Sequence, residues 1–553
     1  MARARTPEPQ PANPVPHRRW TWLVLALTIL MIVIVRVRLR EMPLERDEGE
    51  YAYMGQLMLQ GEPPYKLAYN MKLPGTHAAY AVIMAVFGQS AAGIHLGFLI
   101  VNVASVLMVF LLGRRILDDV AGAAAAVTFG LLSTSPSFLG TAAHATHFVM
   151  LAALGGCLCL LTACARGGSG RFFASGLCFG LAFLMKQPGL FFGVFAFVYV
   201  AWQNARQNRL VSGKALGELG ALSAGMLLPF AVTCLWLWQA GVFERFLFWT
   251  FSYGRAYASV VPWAALRDML HQAGGLVFGL NILFWLLGAV GAVVMWWEDR
   301  MKDHRLFLLG LLLASLPALG TGLYFRAHYF VLLLPVLGLL CGVAVSRGLY
   351  LVRHEQSVEL FLAFVMVGGF GLAVLVALAV HGQTWFAQTP LEASKTLYST
   401  TLFHETVGVG EFLRKECPQD ARIAVLGSEP QIYFHAHRRS ATGYIYTYPL
   451  MERQRFASQM QEEMIREIEE TRPAYVVYVN DDFSWLRRPA SNPKIFSWWE
   501  GYWSSNYDLV KMVNVTVNER ALAQALPSAS GRPTGAKRYL MILKRRDSGA
   551  PKN

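Results

Sequence analysis

The chain has 553 residues, 55% of them hydrophobic, with a formal net charge of +14 and a mean hydropathy of +0.38. That composition excludes a soluble globular protein. Lys and Arg gather in short loops between apolar runs, the pattern of cytoplasmic loops, so the charge is not a nucleic-acid footprint.

Residues 1–19, rich in Pro and Arg, are expected to be a disordered cytoplasmic tail. Residues 20–35 read as an uncleaved first helix, because RVRLR follows instead of a small-residue cleavage site. Arg36, Arg38 and Arg40 then lie at its outer end, against the positive-inside tendency. Snorkelling to headgroups or attraction of an anionic lipid would account for them. Residues 40–90 form an outer loop, in which 78–88 is apolar but too short to span.

Further spans are expected at 91–112, 120–139, 147–165, 172–186, 188–204, 215–238, 274–297, 305–323, 329–346 and 357–380. With the first helix this makes about 11 transmembrane helices, and it puts Arg114–Arg115, Arg166/Arg171, Arg206/Arg209/Lys214, Arg300/Lys302/Arg305 and Arg347/Arg353 on the cytoplasmic side. The expected division is a transmembrane domain over 20–381 and an extracytoplasmic α/β domain over 382–553. In the latter, 421–427, 473–479 and 538–544 read as buried strands and 451–471 as a helix. GVG at 408–410 lacks the rest of a dinucleotide fingerprint. Six of the seven cysteines lie in apolar segments and there is no CxxC pair, so no disulfide is expected in the tail, where only Cys417 lies.

Asp47 and Glu48 stand just past the first helix, with Lys72 and His77 after the next. Asp47 and Glu50 have the spacing of a capping box, and Gly61 with Pro63–Pro64 ends that helix. The topology brings these residues to the same side as His144/His147, Lys186-Gln187, the 239–273 loop with Arg255 and Tyr257, and Tyr324–Tyr329 with Arg326 and His328. Carboxylates, imidazoles and isolated cations at an interface suit a substrate with a lipid tail and a phosphate head. The cations hold the phosphate as it leaves, and a carboxylate takes the proton of an attacking hydroxyl. The spacing permits a divalent cation on Asp47, His144 and His147 but does not require one.

DEGEYAYMGQLMLQGEPPY followed by MKLPGTHAAYAVIMAVFG resembles the first outer loop of the GT-C membrane glycosyltransferases, in the group of the protein O-mannosyltransferases and lipid A aminoarabinose transferases. GLAFLMKQPGLFF and YFRAHYFVLLLPVLGLL are similar to two further helices of that group, and the resemblance covers roughly residues 20–380. It implies a GT-C-like fold and a plasma (inner) membrane location. The implied reaction moves a monosaccharide, with inversion, from a polyprenyl-phosphate donor to a lipid, glycan or protein acceptor at the outer face. Carried over, Asp47 matches the catalytic acidic position and Glu48 its partner, while Lys72 falls in a Lys-Leu-Pro turn where the family has Lys-Pro-Pro. His147 stands where an acidic residue is frequent, which argues against carboxylate-based metal binding. The phosphate-contact role falls to Lys72 and Arg326, with His77, His147, Lys186, Arg255, Tyr257 and His328 as further substrate-binding candidates. The other readings are a flippase for an anionic polyprenyl lipid, which would use the same cations without a base, and a sensor or assembly scaffold worked by the C-terminal domain, which leaves the buried charges without a purpose.

Overall fold

The computed structural model describes residues 19–354, 358–518 and 537–546; the expected disordered tail lies outside them but for Arg19. The chain opens with α1 (Arg19–Arg38), then the outer-loop helices α2 (Arg46–Leu59) and α3 (Gly75–Phe87). The bundle continues with α4 (Ala91–Ile116), α5 (Asp119–Thr134), α6 (Ala145–Arg166), α7 (Ser169–Met185), α8 (Leu190–Arg206) and α9 (Gly213–Gln239). Short helices α10 (Phe243–Leu247), α11 (Gly254–Ala258) and α12 (Leu266–Val277) lead to α13 (Ile282–Val294), α14 (Arg305–Gly320), α15 (Leu334–His354) and α16 (Val358–Gly382).

Among the described residues, seven helices are long and apolar enough to cross a membrane, and a pair bent by 48° at Phe278 makes an eighth if counted as one. The eleven expected spans resolve into these eight and three helices, α5, α7 and α8, of 16 or 17 residues. At 1.5 Å per residue the three are only about 24–26 Å long. α5 is shielded on nearly every side by α1, α4 and α15.

Small residues set the spacing of the bundle. A Cβ on Gly176 or Gly180 of α7 would lie 2.0 or 2.4 Å from the carbonyl oxygens of Leu222 and Met226 on α9. One on Gly338 or Gly342 of α15 would lie 2.8 or 2.3 Å from the carbonyls of Ala125 and Ala121 on α5. Both pairs have the small-xxx-small spacing that lets backbones touch inside a membrane.

Arg36 and Arg38, at the outer end of α1, bond within the fold. Arg36 is buried, donating to Asn102 Oδ1 (2.9 Å) and to the carbonyls of Ser133 (3.3 Å) and Gly140 (3.0 Å), with its guanidinium 4.0 Å from the Phe98 ring centroid. Arg38 donates to the carbonyls of Trp385 and Gln388. The cations thus satisfy carbonyls left without partners where α5 and the extension of α16 end.

After α17 (Pro390–Tyr398) and α18 (Leu402–Glu416) come β1 (Ile423–Leu426), α19 (Gln431–Ala436), α20 (Tyr448–Met451), α21 (Ala457–Thr471), β2 (Tyr475–Asn480), α22 (Asp482–Trp485), α23 (Lys494–Asn506), β3 (Tyr507–Val515) and β4 (Arg538–Arg545). The sheet order is β1-β2-β4-β3, with β1 and β2 parallel and the remaining pairs antiparallel. The three expected strands are present, and β3 is an edge strand the sequence reading missed.

This α/β part is not set apart from the outer loop. Tyr51, Leu57 and Tyr80 share one apolar core with Ile423, Val425, Ile432 and Val477. The Ser440 N–H donates to the Tyr53 hydroxyl (2.7 Å) and the Tyr69 N–H to the Gly443 carbonyl (2.7 Å). Arg46 pairs with the buried Glu429 at 2.7 Å.

Candidate active site

The first turn of α2 builds the acidic part of the site. The capping box is Glu45/Glu48, not Asp47/Glu50: Glu48 N–H donates to Glu45 Oε1 (2.9 Å), and Glu48 Oε2 accepts from Glu45 N–H (3.4 Å). Both pairs have the same spacing, so sequence alone does not rank them. Asp47 is thereby one of the first-turn residues, freed from capping and favoured by the helix N-terminus.

The acidic side chains then point in different directions. Glu48 turns inward, where its Oε1 accepts from the Ala143 N–H (2.7 Å) and from His95 Nε2 (3.0 Å). His95 Nδ1 faces the Arg40 carbonyl at 2.7 Å, so both ring nitrogens meet acceptors and the ring acts as a double donor. Glu50 is taken by Lys72 (2.6 Å) and His77 (3.2 Å). Asp47 keeps 18% side-chain exposure against zero for Glu48 and Glu50, so it alone of these three can meet a substrate.

Two lysine turns converge here. Gln187 Nε2 donates to the Met71 carbonyl (2.7 Å), and the Thr76 hydroxyl to that of Met185 (2.8 Å). A Cβ on Gly75 would sit 2.4 Å from the Leu184 carbonyl, so Gly holds the contact. Lys72, once inside, bridges Asp47 Oδ1 (2.9 Å) and Glu50 Oε2 (2.6 Å), 4.4 Å from the Tyr51 ring centroid. Two of its three N–H groups are therefore committed to carboxylates, which leaves one for the expected phosphate contact. Lys186 instead has its ammonium 3.9 Å from the Tyr329 ring centroid and, among the described residues, no carboxylate in ion-pair range.

The late loop supplies the rest. Gly322, Leu323 and Phe325 have φ of +76°, +59° and +44°, a strained turn that presents Arg326 and His328. Arg326 lies 5.6 Å over the Tyr324 ring, which stacks on Tyr257 at 4.9 Å. Arg255 is exposed on α11 and is not drawn into the cluster. His77 is likewise sealed beneath Glu50, away from the opening.

His147 is also displaced from its expected place. It packs edge-on against Phe98 (4.8 Å), while His144, at the cap of α6, enters the site and stacks on His328 with ring centroids 4.0 Å apart. Asp47 Oδ2 lies 3.9 Å from His144 Nδ1 and 4.0 Å from His328 Nε2. Burial pushes His144 down to about 4, and burial with the charge of Lys186 holds His328 well below the usual range, so both rings are neutral at neutral pH. Burial opposes ionisation of Asp47. The charges of Lys72 and Arg326 outweigh it and hold the carboxyl well below its ordinary value.

Neutral imidazoles beside a carboxylate are a metal-ligating set, and these donors all lie within 4.8 Å of one another. Both nitrogens of His144 and Nδ1 of His328 are buried with no hydrogen-bond partner in the structure. A divalent cation therefore fits Asp47, His144 and His328. His147, the expected ligand, is not in the set.

A sequence model of the dolichyl-phosphate-mannose-protein mannosyltransferases matches residues 72–236. An undecaprenyl phosphate-α-4-amino-4-deoxy-L-arabinose arabinosyl transferase of Pseudomonas aeruginosa is 25% identical over 393 residues, covering 64% of this chain and 70% of the relative. A Pseudomonas paraeruginosa relative of the same description is 27% identical over 349 residues, 60% of each chain. ArnT of Cupriavidus metallidurans, solved with undecaprenyl phosphate, superposes with a TM-score of 0.55 at 14% identity, covering 95% of this chain and 98% of that one. The chain is a membrane glycosyltransferase of GT-C type. The oligosaccharyltransferase AglB of Archaeoglobus fulgidus, solved with an inhibitory peptide and a dolichol-phosphate, shares the fold at TM-score 0.51 and 14% identity, over 83% of this chain and 69% of that one. In this GT-C glycosyltransferase the site includes residues the sequence reading left out. Glu45 and Glu50 were hidden in an ambiguous acidic run, and His95 in an apolar helix. Tyr446 meets Asp47 from 399 positions away, with no local signal.

Proposed function

We propose that the protein moves a monosaccharide from a polyprenyl-phosphate donor to an acceptor hydroxyl at the extracytoplasmic face, with inversion. The acceptor oxygen attacks the anomeric carbon while the sugar–phosphate bond breaks, its electron pair leaving on polyprenyl phosphate. The hydroxyl proton passes to Asp47 Oδ2. One observation supports the reading: Asp47 is a partly open carboxylate, ionised, and among the described residues its Oδ2 takes no hydrogen bond and the nearby Lys186 and Arg326 have no carboxylate partner.

Lys186 and Arg326 would hold the phosphate and stabilise its charge as it leaves. Tyr257, Tyr324 and Tyr329 would line that pocket. Lys72 would anchor Asp47, and Glu48 would act as a positioning residue through the Ala143 N–H and His95. A carboxylate held so low is a weak base. It suits an oxocarbenium-like transition state, in which the acceptor loses its proton late. A divalent cation on Asp47, His144 and His328 would take Oδ2 in place of the proton, so the base role belongs to the cation-free site.

The donors of the named relatives support the choice of substrate class, and the neighbours' undecaprenyl and dolichol phosphates fit a cationic pocket at a membrane surface. The test is release and transfer of labelled sugar from polyprenyl-phosphate donors by purified protein. Asp47→Asn, which keeps shape, should bind donor normally and transfer sugar at least about a hundredfold more slowly, as loss of a general base does. Wild-type transfer by that variant would remove Asp47 as the base. Lipid flipping without transfer would leave the flippase reading in its place.

A further inference from the structure

We infer that Tyr446 of the C-terminal α/β domain is a positioning residue for the catalytic carboxylate: it helps hold Oδ1 of Asp47, so that Oδ2 is the oxygen presented to the reaction. The inference rests on Asp47 being the base. It makes the docked domain a part of the active site, and it concerns a residue outside every sequence motif of the membrane half.

The geometry is as follows. Asp47 Oδ1 takes the Lys72 ammonium at 2.9 Å and the Tyr446 hydroxyl at 3.3 Å. A carboxylate only accepts, so the phenol is the donor, and the two lone pairs of Oδ1 are both engaged. Among the described residues Oδ2 has no such partner, only the imidazoles of His144 and His328 at 3.9 and 4.0 Å. When Asp47 takes a proton, Oδ1 is blocked by two donors and the proton lands on Oδ2.

The loop that carries Tyr446 is held from both sides. Upstream, the Gly443 carbonyl accepts the Tyr69 N–H of the outer loop (2.7 Å), and the Gly443 N–H donates to Glu467 (2.9 Å). Any Cβ at Gly443 would fall 2.2 Å from the Tyr69 ring, so the two chains touch there. Downstream, the Thr447 N–H donates to the Ser428 hydroxyl (3.0 Å). Between these clamps the Tyr446 ring lies 6.0 Å from the Lys72 ammonium and packs edge-on against Tyr448 at 5.3 Å. Its position is therefore set by domain docking.

The test uses the full-length solubilised protein and the sugar-transfer assay. Tyr446→Phe keeps the ring and removes the hydroxyl. It should lower kcat roughly tenfold, the weight of one hydrogen bond to a charged group, with donor KM and melting temperature unchanged. Tyr507→Phe, whose hydroxyl bonds the Pro473 carbonyl inside the same domain (2.9 Å), should leave kcat and KM as they are. Added to Asp47→Asn, Tyr446→Phe should cost less than about twofold more, because a residue acting through Asp47 has nothing left to act on. A normal kcat in Tyr446→Phe, or a full tenfold loss on top of Asp47→Asn, overturns the inference. If Asp47→Asn itself transfers sugar at the normal rate, the base assignment fails and the inference falls with it. If Asp47→Asn is crippled and Tyr446→Phe is not, only the role of Tyr446 is lost.

Discussion

Lys72 and Lys186 show how two residues of one type, in similar turns, come to different work. Lys72 is 14% exposed and bridges two carboxylates, whose charges hold its ammonium well above the ordinary range despite burial. Removing it leaves Asp47 and Glu50 without their counter-charge in a buried site, which costs stability and disorders the proposed base. Removing Lys186 unpairs no carboxylate. Lys186→Ala and Arg326→Ala should therefore weaken donor binding by roughly 1.5–3 kcal/mol each, while Lys72→Ala should lower kcat and melting temperature with donor affinity nearly kept. Titration calorimetry with a polyprenyl-phosphate donor separates these outcomes, and equal loss of affinity in all three variants would void the distinction. Sequence showed that Asp47, Lys72, Lys186, Arg326 and His328 share one end of the bundle, because apolar spans and loop charges fix which end each occupies. It did not show which carboxylate meets which cation, nor that His144 and not His147 enters the site. Those depend on a cap and on helix phase, about 100° per residue, which hydropathy does not register.

At the scale of elements, the bundle was readable wherever an apolar run exceeds about 18 residues. The three short helices α5, α7 and α8 were found as apolar runs too, but their length alone does not distinguish a span from a helix packed within the bundle. β3 was missed for the opposite reason: an edge strand with Leu509, Val510 and Met512 all exposed carries no alternation to read. The glycine contacts were also silent in sequence, since the same spacing occurs without any partner helix. Their consequence is testable. Gly180→Leu forces a side chain against the Met226 carbonyl and the ring of Pro229, which lie 2.4 and 3.1 Å from an added Cβ. It should cost about 1–3 kcal/mol or more, as overpacking does, and lower the yield of monodisperse protein on size-exclusion chromatography. Gly217→Leu on α9, where an added Cβ meets nothing within 4 Å, should behave as wild type. Equal behaviour of the two would show that helices α7 and α9 are not in contact.

The whole molecule has two ends and a cap. Residues 114–119, 166–171, 206–214 and 298–305, at one end, carry the basic loops, and Asp47, His144, Lys186 and Arg326 stand at the other. By the positive-inside rule we propose that the site end is extracytoplasmic. In a cysteine-free background, Ser259→Cys should react with an impermeant maleimide from outside and Lys302→Cys should not, both positions being exposed; the reverse result inverts the molecule. The cap is the α/β domain, and its attachment passes through Arg46, the neighbour of Asp47. Glu429 is fully buried, and Arg46 holds it from 2.7 Å with its side chain 16% exposed. Breaking a buried pair from one side strands a charge, at a cost of about 3–5 kcal/mol, whereas replacing both partners by apolar residues is often near neutral. Arg46→Met and Glu429→Met should each lower the melting temperature and the transfer rate, because undocking withdraws the C-terminal domain from the Asp47 carboxylate. The double variant should recover stability by at least about 1 kcal/mol over the worse single variant. If the two losses simply add, the pair is not what seats the domain, and the docking rests on the shared apolar core of Tyr51, Leu57, Val425 and Val477 with the Tyr53–Ser440 and Tyr69–Gly443 hydrogen bonds.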